Sequence, residues 1–265
     1  MRDVKATVGL VASMLALLAD REEAVTHVAV AFDNPIVSFR NDLFDGYKSD
    51  EGVPAALRWQ FDLAEEAVRA LGIVVWSMDR WEADDALATG ATRFASEVDQ
   101  VRIMTPDKDL GQVVTGSKVV LVDRMRKKVY DEAGVRAKSG VAPASVPDLL
   151  GLVGDTSDGI PGLAGFGAKS AAAILGRWGT IEAIPDAAAA WEVKVTGAPR
   201  LAAVLAAERE DALLYKKLAT LVRDVPLRES FADLEHRGVP RAAYLALCDK
   251  LALGELRDRP QRFQD

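Results

Sequence analysis

Eight carboxylates in four short clusters are the residues of this chain best suited to chemistry. Asp33 ends the run VAVAFD, and Glu82, Asp84 and Asp85 fall in WEADDA. Asp107 and Asp109 lie in TPDKDL, and Asp155 and Asp158 in GDTSDGIPG. Three of the clusters directly follow apolar runs, 28–32, 101–104 and 149–153, each short enough to be a buried strand. Acids at strand ends in an α/β protein converge on the sheet edge where ligands bind. Eight negative charges gathered there repel one another unless cations neutralise them, so the pattern points to a metal-dependent site.

Taken singly, each cluster also has a plain structural use. Asp33 precedes Asn34-Pro35, a pair that stops a strand, and a turn aspartate serves as well there. Acids in the first turn of a helix complement its dipole and cap its open N–H groups, which suits Glu82, Asp84 and Asp85. Capping needs one acid and here there are three, with Glu82 and Asp85 on one face at i,i+3. Asp107 and Asp109 flank Lys108, and in extended backbone both project to one side while Lys108 points away. Asp155 and Asp158 are spaced as on one helical turn. A pair of divalent ions about 3.5–4 Å apart activates water and stabilises both oxygens in phosphoryl transfer. Mg²⁺ keeps several waters, so about half of the eight acids are expected to bind directly.

Other metals fit poorly. His27, His236 and the single Cys248 leave no zinc-ligand spacing, so the ions expected are the oxygen-seeking Mg²⁺ or Mn²⁺. One cysteine also rules out an internal disulfide and suits a reducing, cytoplasmic setting. The formal charge of −7 argues weakly against a broad nucleic-acid surface. The eight clustered acids account for all of it, however, and leave the remainder near neutral, so DNA is not excluded. The apolar stretch 8–19 is followed at once by Asp20, Glu22 and Glu23 and fits a buried helix better than a secretion signal. No run is long enough to span a membrane.

The elements that must position these acids alternate over the first half. Patterning predicts helices over 7–19, 54–71 and 83–98, and strands over 25–32, 73–76, 101–104 and 119–122. That order implies a mainly parallel sheet wound by crossover helices. After about Gly140 Ala-rich helices dominate, over 168–176, 185–191, 200–214 and 242–253. The expected domains are therefore an α/β core over 1–142 and a helical region over 143–265.

Two further segments bear on ligands. Residues 34–53 have no clear period and are long for a connection, as functional or mobile loops are. Within them Arg40 and Lys48 are interleaved with Phe39, Phe44 and Tyr47, which suits a channel that tracks a nucleic-acid backbone and stacks bases. The turn GIPGLAGFGAK carries Gly162, Gly165 and Gly167 ahead of Lys169 at a helix start, where exposed N–H groups suit a phosphate. Its spacing is wrong for a Walker loop. The run RMRKK at 124–128 reads as a solvated hairpin face.

Together these motifs closely resemble the 5′ nucleases: the 5′→3′ exonuclease domain of bacterial DNA polymerase I and the related flap endonucleases. The likeness runs from about Thr7 to Pro226. It rests on AVAFD, FRNDLFDGYK, Pro54/Leu57/Gln60, EADD, T-x-DKDL, LVGDTSDGIPGLAGFGAK and LATLVRDVPL. It implies an α/β, PIN-like nuclease core, an arch over about 34–60 and a helix–hairpin–helix DNA-binding region. It also implies cleavage of DNA 5′ ends, flaps and duplex junctions with two Mg²⁺ or Mn²⁺ ions. Asp33, Glu82, Asp84, Asp85, Asp107, Asp109, Asp155 and Asp158 match the family's metal ligands. Asp33, Arg40 and Lys48 match catalytic positions, with Arg40 and Lys48 orienting the scissile phosphate. DNA contacts fall on Arg40, Tyr47, Lys48, Gly162, Gly165, Gly167 and Lys169, often with a K⁺ ion at the hairpin.

The resemblance also marks departures. The family opens on a strand ending in a metal-binding Asp, and this sequence begins at the helix after it. The expectation is a stand-alone, monomeric nuclease lacking that strand; the alternative is a DNA-junction-binding protein of impaired catalysis. Ser49, Asp50 and Glu51 stand where Ala-Asn-Arg is usual and reverse the charge at a phosphate contact. Gly159 replaces a usual Asn, a change expected to be minor.

Overall fold

A computed structural model describes residues 3–265. The chain divides into two compact units, and neither is continuous in sequence. One comprises Met1–Val37, Ser49–Ala86 and Pro226–Asp265; the other comprises Ser38–Lys48 and Leu87–Val225. This differs from a linear division near residue 142, because the last forty or so residues pack with the first. The helix Arg241–Leu251 lies against the helix Phe61–Ala70, and its Tyr244, Leu247 and Cys248 join Val11, Leu15, Val68 and Leu71 in one core.

In the first unit the helix Lys5–Leu18 buries Thr7, Val11 and Leu15, four residues apart and so on one face. The helix expected over 54–71 is broken into Ala55–Arg58 and Phe61–Ala70. At the break Gln60 turns inward: its side chain donates to Ala56 O at 2.8 Å and accepts from Thr7 N–H at 3.2 Å. Strand Ala29–Asp33 pairs in parallel with Val74–Met78, in a register that sets Asp33 opposite Met78.

The second unit holds a three-stranded ladder. Val101–Met104 pairs in parallel with Val119–Asp123, which pairs antiparallel with Lys128–Tyr130. The fold is thus α/β, with the parallel pairing that alternation implies. The described strands nevertheless form separate short ladders rather than one mainly parallel sheet. The basic run does sit on a hairpin turn, held by Asp123, which accepts from Arg126 N–H and from its guanidinium at 2.9 and 2.8 Å. Met125 at its tip is 91% exposed.

Helices Glu132–Ser139, Val146–Val153, Ala168–Trp178, Ala198–Ala207 and Arg209–Ala219 complete this unit. Residues 149–153, expected as a strand, end a helix that begins with Pro147 in its first turn. A short apolar run does not separate the two possibilities by period. Gly151 lets this helix approach Arg209–Ala219 closely, since a Cβ there would stand 2.9 Å from Ala212 O. Residues 200–214 are two helices broken at Glu208. The expected helix over 185–191 is only a 3₁₀ turn, Ala188–Ala190. The Trp191 indole N–H takes the Pro185 carbonyl at 2.7 Å, an acceptor an α-helix would use internally.

Candidate metal and nucleic-acid site

The acids of the first unit gather at one helix start. Asp33 closes its strand, and its Oδ1 accepts from Ala83 N–H at 2.5 Å. Asp85 Oδ2 accepts from Glu82 N–H at 3.0 Å. Two carboxylates thus satisfy open N–H groups at the start of the helix Ala83–Phe94. Glu82 and Asp85 are buried, and Asp33 and Asp84 are half-buried. Burying two acids at one point is costly unless partners neutralise them.

In the second unit the acids lie on turns. Asp107 Oδ1 accepts from Asp109 N–H at 2.9 Å, and Asp109 opens the 3₁₀ helix Asp109–Val113. The extended arrangement expected for this pair is therefore absent, and Lys108 does not point away. Its ammonium donates to Asp155 Oδ2 and stands 3.3 Å from Asp109 Oδ1. Asp155 and Asp158 do not share a helical turn either. They sit in the connection after Val146–Val153, where Asp155 and Ile160 exchange backbone hydrogen bonds at 2.8 Å. Asp155 Oδ1 accepts from Ser157 N–H at 2.8 Å.

These acids act on one another. Burial, then the charge of Asp107, with smaller contributions from Asp155 and Asp158, push Asp109 up to about 7 against the opposing pull of Lys108. Burial also raises Asp155, but the bonds from Lys108 and Ser157 outweigh it and hold this carboxyl below its usual range. Asp109 Oδ1 is buried without a well-formed hydrogen bond. An all-oxygen donor set containing such an atom, with an ammonium already beside it, fits a hard divalent cation. Among the described residues, no three of the His, Cys, Asp and Glu side chains stand together as a metal-holding group.

The basic segment is ordered and faces largely inward. Lys48 lies 3.1 Å from Asp158 Oδ1. Arg40, expected to orient a phosphate, is 1% exposed; its Nε donates to Leu218 O at 2.7 Å and its Nη2 to Thr220 O at 3.1 Å. Tyr47, expected at the DNA, is buried in this unit's core. Phe44 meets Tyr215 edge-on at 5.9 Å. Two of the three aromatics that suggested base stacking, Phe44 and Tyr47, pack into this unit's core instead.

The glycines of the turn divide by task. Gly162 has φ +69°, and a Cβ there would stand 2.4 Å from Gly154 N, so its place is set by packing. Gly165, Gly167 and Lys169 are exposed, and Gly167 N–H donates to Ser170 Oγ at 3.1 Å at the start of Ala168–Trp178. Gly159, read from sequence as a minor change, is constrained. With φ +75°, a Cβ would lie 2.1 Å from Gly46 O. Sequence reasoning also missed Lys108 as the shared partner of two acids; its place between Asp107 and Asp109 was the available signal.

An α/β fold carrying paired carboxylates at helix starts and turns defines the class, and sequence comparison gives the family. The chain belongs to the 5′-3′ exonuclease family: residues 2–140 match its N-terminal resolvase-like domain and residues 141–242 its C-terminal SAM fold. It is 33% identical over 216 residues to the 5′-3′ exonuclease of Aquifex aeolicus, covering 81% of this chain and 71% of that one. It is 38% identical over 236 residues to DNA polymerase I of Bacillus caldotenax, covering 87% of this chain. The chain matches only 26% of that polymerase's length.

Among solved structures, the zinc-bound 5′-exonuclease of bacteriophage T5 superposes with a TM-score of 0.61 at 19% identity, over 83% of this chain and 81% of that one. The catalytic core of Rad2 in complex with DNA substrate superposes with a TM-score of 0.53 at 15% identity, over 92% and 79%. At these identities the likeness is one of fold.

Proposed function

We propose that this chain is a divalent-metal-dependent 5′→3′ exonuclease and flap endonuclease that hydrolyses DNA phosphodiesters. In this reading Asp33, Glu82, Asp84 and Asp85 on one unit, and Asp107, Asp109, Asp155 and Asp158 on the other, supply the ligands for two Mg²⁺ or Mn²⁺ ions. The observation that carries it is the Asp109–Asp155 pair: two buried carboxylates sharing one ammonium, with one oxygen left without a hydrogen bond. When bound, the ions would supply activation of water and stabilisation of the attacking and leaving oxygens.

The protein's own groups do the rest. Asp155, ionised at neutral pH, presents Oδ2 as a hard ligand while Ser157 N–H fixes its other oxygen. Lys48 brings a positive charge to within 3.1 Å of Asp158, where a phosphate oxygen can take its ammonium in exchange. Arg40 contributes by holding residues 38–48 on the carbonyls of Leu218 and Thr220 and so placing Lys48. The glycine turn of the second unit would supply the helix–hairpin–helix, with Gly165 N–H and the Lys169 ammonium facing duplex phosphates and the turn's carbonyl oxygens available to a K⁺ ion.

A 5′-labelled DNA flap incubated with Mg²⁺ tests the reading. Cleavage is expected to stop with EDTA and to fall by orders of magnitude in Asp155→Asn. Cleavage that survives both treatments, or tight flap binding with no cleavage by the unaltered chain, would overturn it.

A further inference from the structure

We propose that Lys108 is a built-in placeholder for a divalent ion: its ammonium neutralises Asp155 and Asp109 in the metal-free protein and must be displaced for an ion to occupy those carboxylates. This rests on the metal reading above. The sequence places a lysine between two acids, where the simplest expectation was an outward-facing side chain. The turn Thr105–Asp109 reverses that. Thr105 Oγ1 accepts from Asp107 N–H at 3.1 Å and Asp107 Oδ1 accepts from Asp109 N–H at 2.9 Å, which curls the backbone and directs Lys108 inward. Its Nζ then donates to Asp155 Oδ2, 47 residues away, and lies 3.3 Å from Asp109 Oδ1.

The three partners differ in freedom. The side chains of Asp109 and Asp155 are 8% and 6% exposed and are held by the folded turns around them, whereas that of Lys108 is 56% exposed. A long, half-exposed lysine can return its ammonium to water at little cost, but the buried carboxylates cannot follow it. The cation is therefore the mobile member of the trio, and the acids are the fixed receptacle. Asp109 Oδ1 makes no well-formed hydrogen bond even with the ammonium beside it, so a single point charge serves two carboxylates incompletely. A divalent ion binds several oxygens at once and replaces the ammonium with a closer match. Such an exchange keeps the acids from driving one another apart before metal arrives. It also makes metal affinity at this pair depend on the ease of ejecting Lys108.

Mn²⁺ binding to the full chain, followed by electron paramagnetic resonance and independent of any cleavage, tests this. Lys108→Met keeps the length of the side chain and removes the competitor. Mn²⁺ should bind about tenfold more tightly at this site than in the parent, the gain expected from deleting one partly buried competing charge. Lys108→Arg should bind no more tightly than the parent, and metal-free Lys108→Met should melt at a lower temperature than the parent. If Asp155→Asn abolishes the Mn²⁺ signal while Lys108→Met leaves affinity unchanged or weaker, the placeholder role fails alone. If Asp155→Asn leaves Mn²⁺ binding intact, the metal reading falls and takes this inference with it. Should Lys108→Met not fold without metal, Lys108→Gln titrated against Lys108→Arg gives the same comparison.

Discussion

Lys48 and Asp158 are joined twice, by an ion pair at 3.1 Å and by a hydrogen bond of 3.0 Å from Lys48 N–H to Asp158 O. The second link uses only backbone, so removing the side chain leaves the two segments tied. Lys48→Ala is therefore expected to cost about 1 kcal/mol or less in stability, as partly exposed ion pairs do. Flap cleavage should drop about a hundredfold, the usual cost of losing one donor to a developing charge. Melting curves beside single-turnover rates give both numbers.

Arg40 should behave in the opposite way. Arg40→Ala leaves the carbonyls of Leu218 and Thr220 without their buried donor, at a cost of about 2–4 kcal/mol. The expected signature is a lowered denaturation midpoint that accounts for the loss of activity at assay temperature. An Arg40→Ala protein of undiminished stability but no activity would restore the phosphate-orienting role read from the sequence.

Asp109 makes the metal-free protein sensitive to pH. Its folded-state value, about 7, lies above the ordinary carboxyl value of 3.8, so the folded state binds the extra proton between them. Its stabilising contribution is complete below about pH 4 and is lost as pH rises through 7, amounting to a few kcal/mol at most. Asp109→Asn should flatten that part of the stability–pH curve. Added Mg²⁺ should reverse the slope in the parent protein, because metal binding favours the ionised carboxylate. Urea titrations at several pH values, with and without Mg²⁺, show either result.

Gly159→Asn, the residue the sequence resemblance leads one to expect there, should destabilise this chain. Asn tolerates the left-handed backbone, but the 2.1 Å approach of a Cβ to Gly46 O does not depend on backbone preference. A loss of about 3 kcal/mol is expected, in the upper range for single substitutions. Chemical denaturation measures it directly.

Lys169 is exposed at its helix start, and in the proposed function it meets duplex phosphates and not bases. Lys169→Ala should weaken duplex binding about equally for all sequences and reduce the slope of log affinity against log salt by about 1. Fluorescence anisotropy across a salt series is the measurement.

How legible the protein was varied with the kind of signal. Strands and helices with a full period of apolar residues, such as Val101–Met104 and Lys5–Leu18, were readable because burial of one face dictates them. Residues 149–153 were not, because four apolar residues around Gly151 suit a buried strand and a buried helix turn equally. The two discontinuous units were hidden as well, since a pattern along the chain does not reveal that the helix Arg241–Leu251 packs on Phe61–Ala70. The acids were found by type and spacing, but their surroundings were not. The direction of Lys108 depends on a turn closed by Thr105 and Asp107, the burial of Arg40 on carbonyls 178 and 180 positions away, and that of Tyr47 on the core it enters.

The unit that carries Asp33 and Glu82 draws on three stretches of chain, the last of them Pro226–Asp265. During synthesis, Val11, Val68 and Leu71 must therefore wait with their apolar surface uncovered until Tyr244 and Leu247 emerge. Half of the carboxylates therefore acquire their folded setting only once residues 226–265 are available, whereas every residue of the other unit has been made by Val225.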